Sequence, residues 1–448
     1  MRFRRMIKRI FAATIVLLGS ISVSAQDDVM DLSLSQACSL AVEKNVQLQN
    51  AELEQQKSQF QIKESRSKLY PQLEGYSSFS YYYAIPKMIV PGELFGQSGL
   101  IPVEIGTKYD WSSGFKATQM LYNQSYFTSL KIARQMENLS KLSLQRQKEE
   151  IVYQVSQVYF LCQNTEKQMD LLSKTLSNTD RLLEISKLQS DNGIIRKVDH
   201  ARVQVNKNNL QTEMDNLEQL HQQQLGLLKY LTGMEADRPI SLSDSLSAEA
   251  AMAVQEPVDF NNQSEIQLLD KQSDIGRLSL KSNKQAYLPT LSGFGEYYYQ
   301  GQRNEFDFFK GGEDKFFKVG LVGISLNIPV FDGFEKQSKI KQHHIELMQL
   351  QNTRRNTINL FSKEYTDAVR QYNNCSRAMI RQEKNITVAE DTYDISLQGY
   401  RQQVVPLSDL LLSESGLTEA RLSYYNALMQ LKNAELDLKK GKGELLNF

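Results

Sequence analysis

The chain has 448 residues, 52 basic and 52 acidic side chains, a formal charge of zero and a mean hydropathy of −0.45. No basic cluster points to a nucleic-acid partner, and no stretch reaches the roughly 20 apolar residues of a membrane-spanning helix, so insertion into lipid would have to use β-strands. Cys38, Cys162 and Cys375 are odd in number, widely spaced and without a C-x-x-C pair, which argues against a disulfide framework.

Residues 1–25 read as an export leader. Arg2, Arg4, Arg5, Lys8 and Arg9 form its basic start, Ile10 to Leu18 its apolar core, and Val23-Ser24-Ala25 a small-residue cleavage site before Gln26. The leader takes five basic residues and no acidic one, so the mature chain is mildly acidic, with 47 basic against 52 acidic residues.

A helix is predicted over 34–68, which lacks Gly and Pro. Tyr70-Pro71 ends it, because a residue before proline is pushed out of the α region. An alternating strand over 72–83 and a Pro/Gly-rich loop over 84–108 follow. The strand at 109–121 puts Tyr109, Trp111, Phe115, Ala117 and Leu121 on one face and Asp110, Ser112, Lys116 and Thr118 on the other. Apolar-out, polar-in alternation with aromatics is what a lipid-facing barrel strand requires.

Residues 124–190 form one helix of roughly 100 Å at 1.5 Å per residue, followed by a turn at 191–196 and a helix at 197–231. Beyond a connector, the expected order is helix 263–287, strands 290–300 and 317–328, long helix 333–399, tip 400–406 and helix 407–440.

This order is one unit written twice. Tyr70-Pro71-Gln72-Leu73-Glu74-Gly75 returns as Leu288-Pro289-Thr290-Leu291-Ser292-Gly293, and Gly114 with Leu121-Tyr122-Asn123 as Gly323 with Val330-Phe331-Asp332. The domain reading is a leader at 1–25, a first repeat at 26–233, a connector at 234–262 and a second repeat at 263–448. The long helices share a 4,3,4,3 stepping through Ile151, Val155, Val158, Cys162, Thr165, Met169, Leu172, Leu176, Thr179 and Leu183. It recurs from Phe361 through Tyr365, Ala368, Tyr372, Cys375 and Met379 to Tyr393. A sustained 3.5-residue period is a coiled-coil seam.

No catalytic constellation is present, and no phosphate-binding glycine loop or H-E-x-x-H; no enzyme activity, cofactor or resident metal is expected. His343 and Glu346, one helical turn apart, could touch a metal as a pair. Four candidate membrane strands cannot close a ring, and open edges are not tolerated in lipid. Three copies would supply twelve, enough for a barrel with a lumen.

The doubled order resembles the TolC-like outer-membrane factors over essentially the whole mature chain. Ile328-Pro329-Val330-Phe331-Asp332-Gly333 looks like that family's signature at the barrel-to-helix junction. Leu34-Ser35-Gln36-Ala37 with Asn45 looks like its N-terminal helix motif, and Asn192-Gly193 with Val198-Asp199 resembles its first helical tip. The resemblance implies a mainly α fold with a membrane portion: a homotrimer with a twelve-stranded outer-membrane β-barrel and a long periplasmic α-barrel. It also implies docking through the tips (Asn192, Gly193, Val198, Asp199, Val405) to a periplasmic adaptor, or membrane fusion protein, serving an inner-membrane RND or ABC transporter. Pro71, Pro289 and Pro329 fall at the junctions, and Tyr109, Trp111 and Phe115 would face outer-membrane lipid.

Family entrances are constricted by acidic residues on the second hairpin. Asp409 matches the outer carboxylate, Leu412 stands at the second carboxylate position, and Tyr400 matches a tip tyrosine. Gln403 replaces the hairpin glycine, Val405 stands at the arginine position, and Pro406 stiffens this tip. The alternative for Asp409 is a helix-start carboxylate near a positive dipole end. The expected function is a passive exit duct for efflux or type I secretion; the rival is a periplasmic coiled-coil scaffold or adaptor without a pore.

Overall fold

The computed structural model describes residues 29–247, 251–310 and 316–446, so the leader and its cleavage site lie outside the described residues. The first half runs β1 (Met30–Leu32), α1 (Leu34–Lys44), α2 (Val46–Ser67), β2 (Gln72–Tyr81), β3 (Lys87–Pro91), β4 (Leu100–Glu104), β5 (Tyr109–Tyr122), α3 (Gln124–Asp191), α4 (Lys197–Thr232) and β6 (Ile240–Leu242). The second runs α5 (Ser264–Gln285), β7 (Thr290–Arg303), β8 (Phe317–Asn327), α6 (Glu335–Arg401) and α7 (Leu407–Lys442). Two compact units cut across both sequence copies. One takes residues up to Gln49, Lys148–Pro257 and everything from Glu364; the other takes Asn50–Gln147 and Val258–Lys363.

The second unit holds a four-stranded antiparallel sheet in the order β2-β5-β7-β8. Its register aligns Gly75, Phe115, Tyr297 and Gly320 in one row and Leu73, Ala117, Gly295 and Val322 in another. These rows belong to an apolar face that is open: Phe115 is 61% exposed, Val322 91% and Ile324 71%. The alternate rows put Glu74, Lys116 and Glu296 together, and the Tyr76 hydroxyl donates to Glu296 Oε1 at 2.5 Å. On β8 this second face is mixed, carrying Phe317, Val319 and Leu321 before Gly323, Ser325 and Asn327. Among the described residues, edges β2 and β8 each have one partner.

The repeated glycines have a steric cause. A Cβ at Gly114 would lie 2.3 Å from Tyr298 Cβ and 2.4 Å from the Tyr297 carbonyl oxygen; one at Gly323 would lie 2.5 Å from the Phe294 ring. Each glycine makes room for its register partner on β7.

Residues 84–108 are not a plain loop as expected. Lys87–Pro91 and Leu100–Glu104 pair as an antiparallel hairpin, joined by a turn through Gly92 and Gly96. The prolines that suggested a loop sit where an isolated two-stranded ribbon leaves edges free to accept them.

In the first unit the seam is broader than the 3.5-residue line. Ile151, Val155, Cys162, Thr165, Leu172 and Thr179 are buried as expected, but so is a second line through Val152, Ser156, Tyr159 and Gln163. Val158 and Leu176 are only half-buried. A helix with neighbours on both sides buries more than one stripe. Cys375 and Met379 of α6 pack with Ala427, Leu428, Leu431 and Ala434 of α7.

Two further differences lie in this unit. The helix predicted over 34–68 breaks at Asn45, whose Oδ1 accepts from Gln47 N at 2.8 Å while its Nδ2 donates to Leu231 O at 2.8 Å. Asn45 therefore restarts the helix and ties it to the end of α4, without any Gly or Pro to announce the break. β1 and β6 were unforeseen; they pair in parallel, and Tyr159 Oη donates to Leu32 O beside them.

Candidate helical tips and sheet-to-helix junctions

Both helical hairpins turn by the same backbone device. At the first, Gly193 holds φ +73° and Ile194 N donates to Gln189 O at 2.8 Å. At the second, Gln403 holds φ +60° and Val404 N donates to Gly399 O at 2.9 Å. This is a left-handed helix stop, and a side chain is carried there at a cost of about 1–2 kcal/mol. Gly399 admits Val405 closely, since a Cβ on it would lie 2.4 Å from Val405 Cγ2.

Pro406 is the N-cap of α7, and Arg196 that of α4. Asn192 Nδ2 donates to Leu188 O, and Val198 is exposed. Asp199 takes a forked contact from Arg196, Nε at 2.9 Å and Nη2 at 3.1 Å, and the guanidinium holds its carboxyl below the usual range. Tyr400 Oη donates to Gln189 Oε1 at 3.0 Å, so the tip tyrosine reaches the first hairpin without an arginine at Val405. Around it Val203, Leu407 and Leu410 form a buried cluster flanked by Tyr393 and Leu397.

Asp409 and Leu412 share a groove of about 520 Å³ between α6 and α7, with Val388, Thr392 and Gly416 among its lining. Leu412 is 73% exposed. Asp409 accepts from Ser408 Oγ at 3.1 Å and stands in the first turn of α7, where the helix dipole favours a carboxylate. Glu414, one turn further on, was not singled out by the sequence. It is 8% exposed, it sits at a seam position between Leu410 and Leu417, and burial pushes its carboxyl up to about 7.

At the junctions, Pro71 and Pro289 stand immediately before β2 and β7, and Pro329 just after β8. Asp332 accepts at Oδ2 from Lys336 N at 3.2 Å and from Lys336 Nζ at 3.1 Å, which lowers its pKa. Gly333 and Phe334 both have positive φ, at +64° and +68°, and so re-aim the chain into α6. Phe331 is 75% exposed and meets Phe334 edge-on at 5.5 Å. Asn123 does the corresponding work at α3, accepting from Tyr126 N at 3.0 Å.

Of the strand aromatics expected to face lipid, Phe115 is open. Trp111 is half-covered by Phe308 and Phe309, whose ring centroids lie 5.5 and 5.4 Å away, and Tyr109 contacts Phe306. His343 Nδ1 lies 2.7 Å from Glu346 Oε2, and among the described residues no group of three metal-ligating side chains occurs.

The family model described as Outer membrane efflux protein matches residues 37–233. Among solved structures, the chain is similar to the CusC channel (16% identity, 95% of each chain covered, TM-score 0.73). It is also similar to the Campylobacter jejuni CmeC outer membrane channel (16% identity, 92% of this chain and 85% of that one, TM-score 0.71). The Neisseria gonorrhoeae MtrE outer membrane channel matches at 15% identity, over 92% of this chain and 88% of that one, with a TM-score of 0.70. No curated protein matches the sequence. The match to the family model ends at Gly233, the left-handed cap of α4, whereas the likeness to the solved channels runs on through the second copy. The chain has the fold of these outer membrane channels.

Proposed function

We propose that this chain lies in the outer membrane as the exit duct of a tripartite efflux or type I secretion system. The observation that carries the reading is the incomplete sheet: four strands, one open apolar face, an opposite face that is polar on β2 and β5 and mixed on β8, and two edges without a second partner among the described residues. In hydrocarbon each unpaired backbone group costs several kcal/mol. β2 and β8 run antiparallel when placed edge to edge, so three copies close a twelve-stranded ring and remove both edges.

Substrate then crosses a passive lumen, and the energy comes from an inner-membrane RND or ABC transporter. A periplasmic adaptor docks at the tips, on the surfaces of Asn192, Gly193, Val198, Asp199 and Val405. The entrance opens by small sliding of the packed hairpins, with Tyr400, Gln403 and Pro406 shaping the second tip. Three copies of Asp409, each beside an apolar Leu412, form a single acidic ring at the constriction. Asp409→Ala is expected to raise single-channel conductance or to weaken multivalent-cation block in planar bilayers. Unchanged currents from a correctly trimeric variant would remove Asp409 from the constriction.

A further inference from the structure

In the compact unit that contains the sheet, α2 and the opening turns of α3 border a groove of about 430 Å³. Its lining includes Lys63, Arg66, Arg134, Gln59, Glu137 and Asn138: three cations and a single carboxylate. That carboxylate is paired with Lys141 Nζ at 3.0 Å and accepts from Gln59 Nε2 at 3.5 Å. Neither guanidinium meets a carboxylate among the described residues, and Lys63 Nζ rests 4.8 Å from the Phe60 ring centroid. Ile62, 8% exposed, supplies an apolar patch in the same groove.

The groove's height on the unit is set by its two helices. Lys63 and Arg66 occupy the last turns of α2, which ends at Ser67 shortly before β2 opens at Gln72. Arg134 stands ten residues into α3, about 15 Å from its start. Between groove and sheet lie exposed aromatics at the strand ends, Tyr70 at 68% and Tyr122 at 41%, with Phe331 and Phe334 at the end of β8. Aromatic belts of this kind mark a membrane–water interface. Headgroups occupy about 5–7 Å beyond the hydrocarbon on each side, and long basic side chains reach up to that layer.

We propose that this groove holds the phosphate headgroup of an anionic phospholipid from the leaflet on the helical side of the barrel. Arg66 and Arg134 present planar forks that match phosphate oxygens two at a time. Lys63 adds a mobile point charge, the amides of Gln59 and Asn138 can donate to a glycerol or ester oxygen, and Ile62 meets the first methylenes. The inference rests on the proposed outer-membrane location and is independent of the duct reading.

The test titrates the purified protein in neutral detergent with short-chain phosphatidylglycerol, short-chain phosphatidylcholine and inorganic phosphate, counting bound molecules by native mass spectrometry. The wild type is expected to prefer phosphatidylglycerol, and the Arg66→Gln, Arg134→Gln double variant to lose about tenfold of that preference. Lys57→Gln, on α2 outside the groove, is expected to leave the preference unchanged. Equal binding of the two lipids, a preference retained in the double variant, or the same loss in Lys57→Gln would overturn the assignment. So would displacement of the lipid by equimolar inorganic phosphate, which would make the groove a free-anion site. Bilayer currents on the same variants separate the two readings, since loss of lipid preference with normal conductance leaves the duct intact.

Discussion

Glu414 shows how one residue can tie helix packing to pH. Its carboxyl stands in the seam with Leu410 and Leu417 and has no hydrogen bond or ion pair among the described residues. On the facing helix the Tyr393 hydroxyl feels the Glu414 charge; Arg421 on α7 itself is taken by Glu390 at 2.7 Å. A carboxyl raised from 4.5 to about 7 takes up a proton when the hairpin packs. The packed state is therefore favoured at low pH, and stability is lost as pH rises from about 4.5 through 7. At 1.36 kcal/mol per pH unit the full loss is about 3 kcal/mol. Urea unfolding of the wild type is expected to show a lower midpoint at pH 8 than at pH 5, and Glu414→Gln to flatten the difference. A variant that keeps the wild-type pH dependence would assign it to another group. The sequence hid this residue because a glutamate in a polar helix reads as a solvated face; only the neighbouring helices reveal that its row is buried.

At the scale of elements, alternation and periodicity carried most of the information. β2, β5, β7 and β8 form where two-residue alternation places them, since that pattern alone gives a sheet one apolar and one polar face. Asn45 and the β3–β4 hairpin escaped for different reasons: Asn45 is held by Leu231, 186 residues away, and the hairpin pairs within a proline-rich run. The doubling also gives a steric prediction. Gly114 meets β7 backbone, which cannot yield, whereas Gly323 meets the edge of a ring that can turn. Gly114→Ala is expected to cost about 1–3 kcal/mol through overpacking, and Gly323→Ala less. Heat-resistant oligomer recovered from membranes should fall further for Gly114→Ala than for Gly323→Ala; the reverse order would contradict this account of the repeated glycines.

For the whole molecule, the long helices and their two tips were legible because 67 and 68 residues without a break are hard to disguise. The tip chemistry was legible only in outline. Gln403 does occupy the left-handed position of a glycine, while the Tyr400–Gln189 contact, made between hairpins 211 residues apart, has no local signature. What ties the scales together is the unfinished sheet, whose two edges lack a second partner among the described residues and which the proposed duct completes with strands of identical copies. The most direct test is the mass of the particle extracted from outer membranes in detergent, measured by native mass spectrometry. Three chains per particle is the expected result; a single chain recovered from the soluble fraction without detergent would contradict the account.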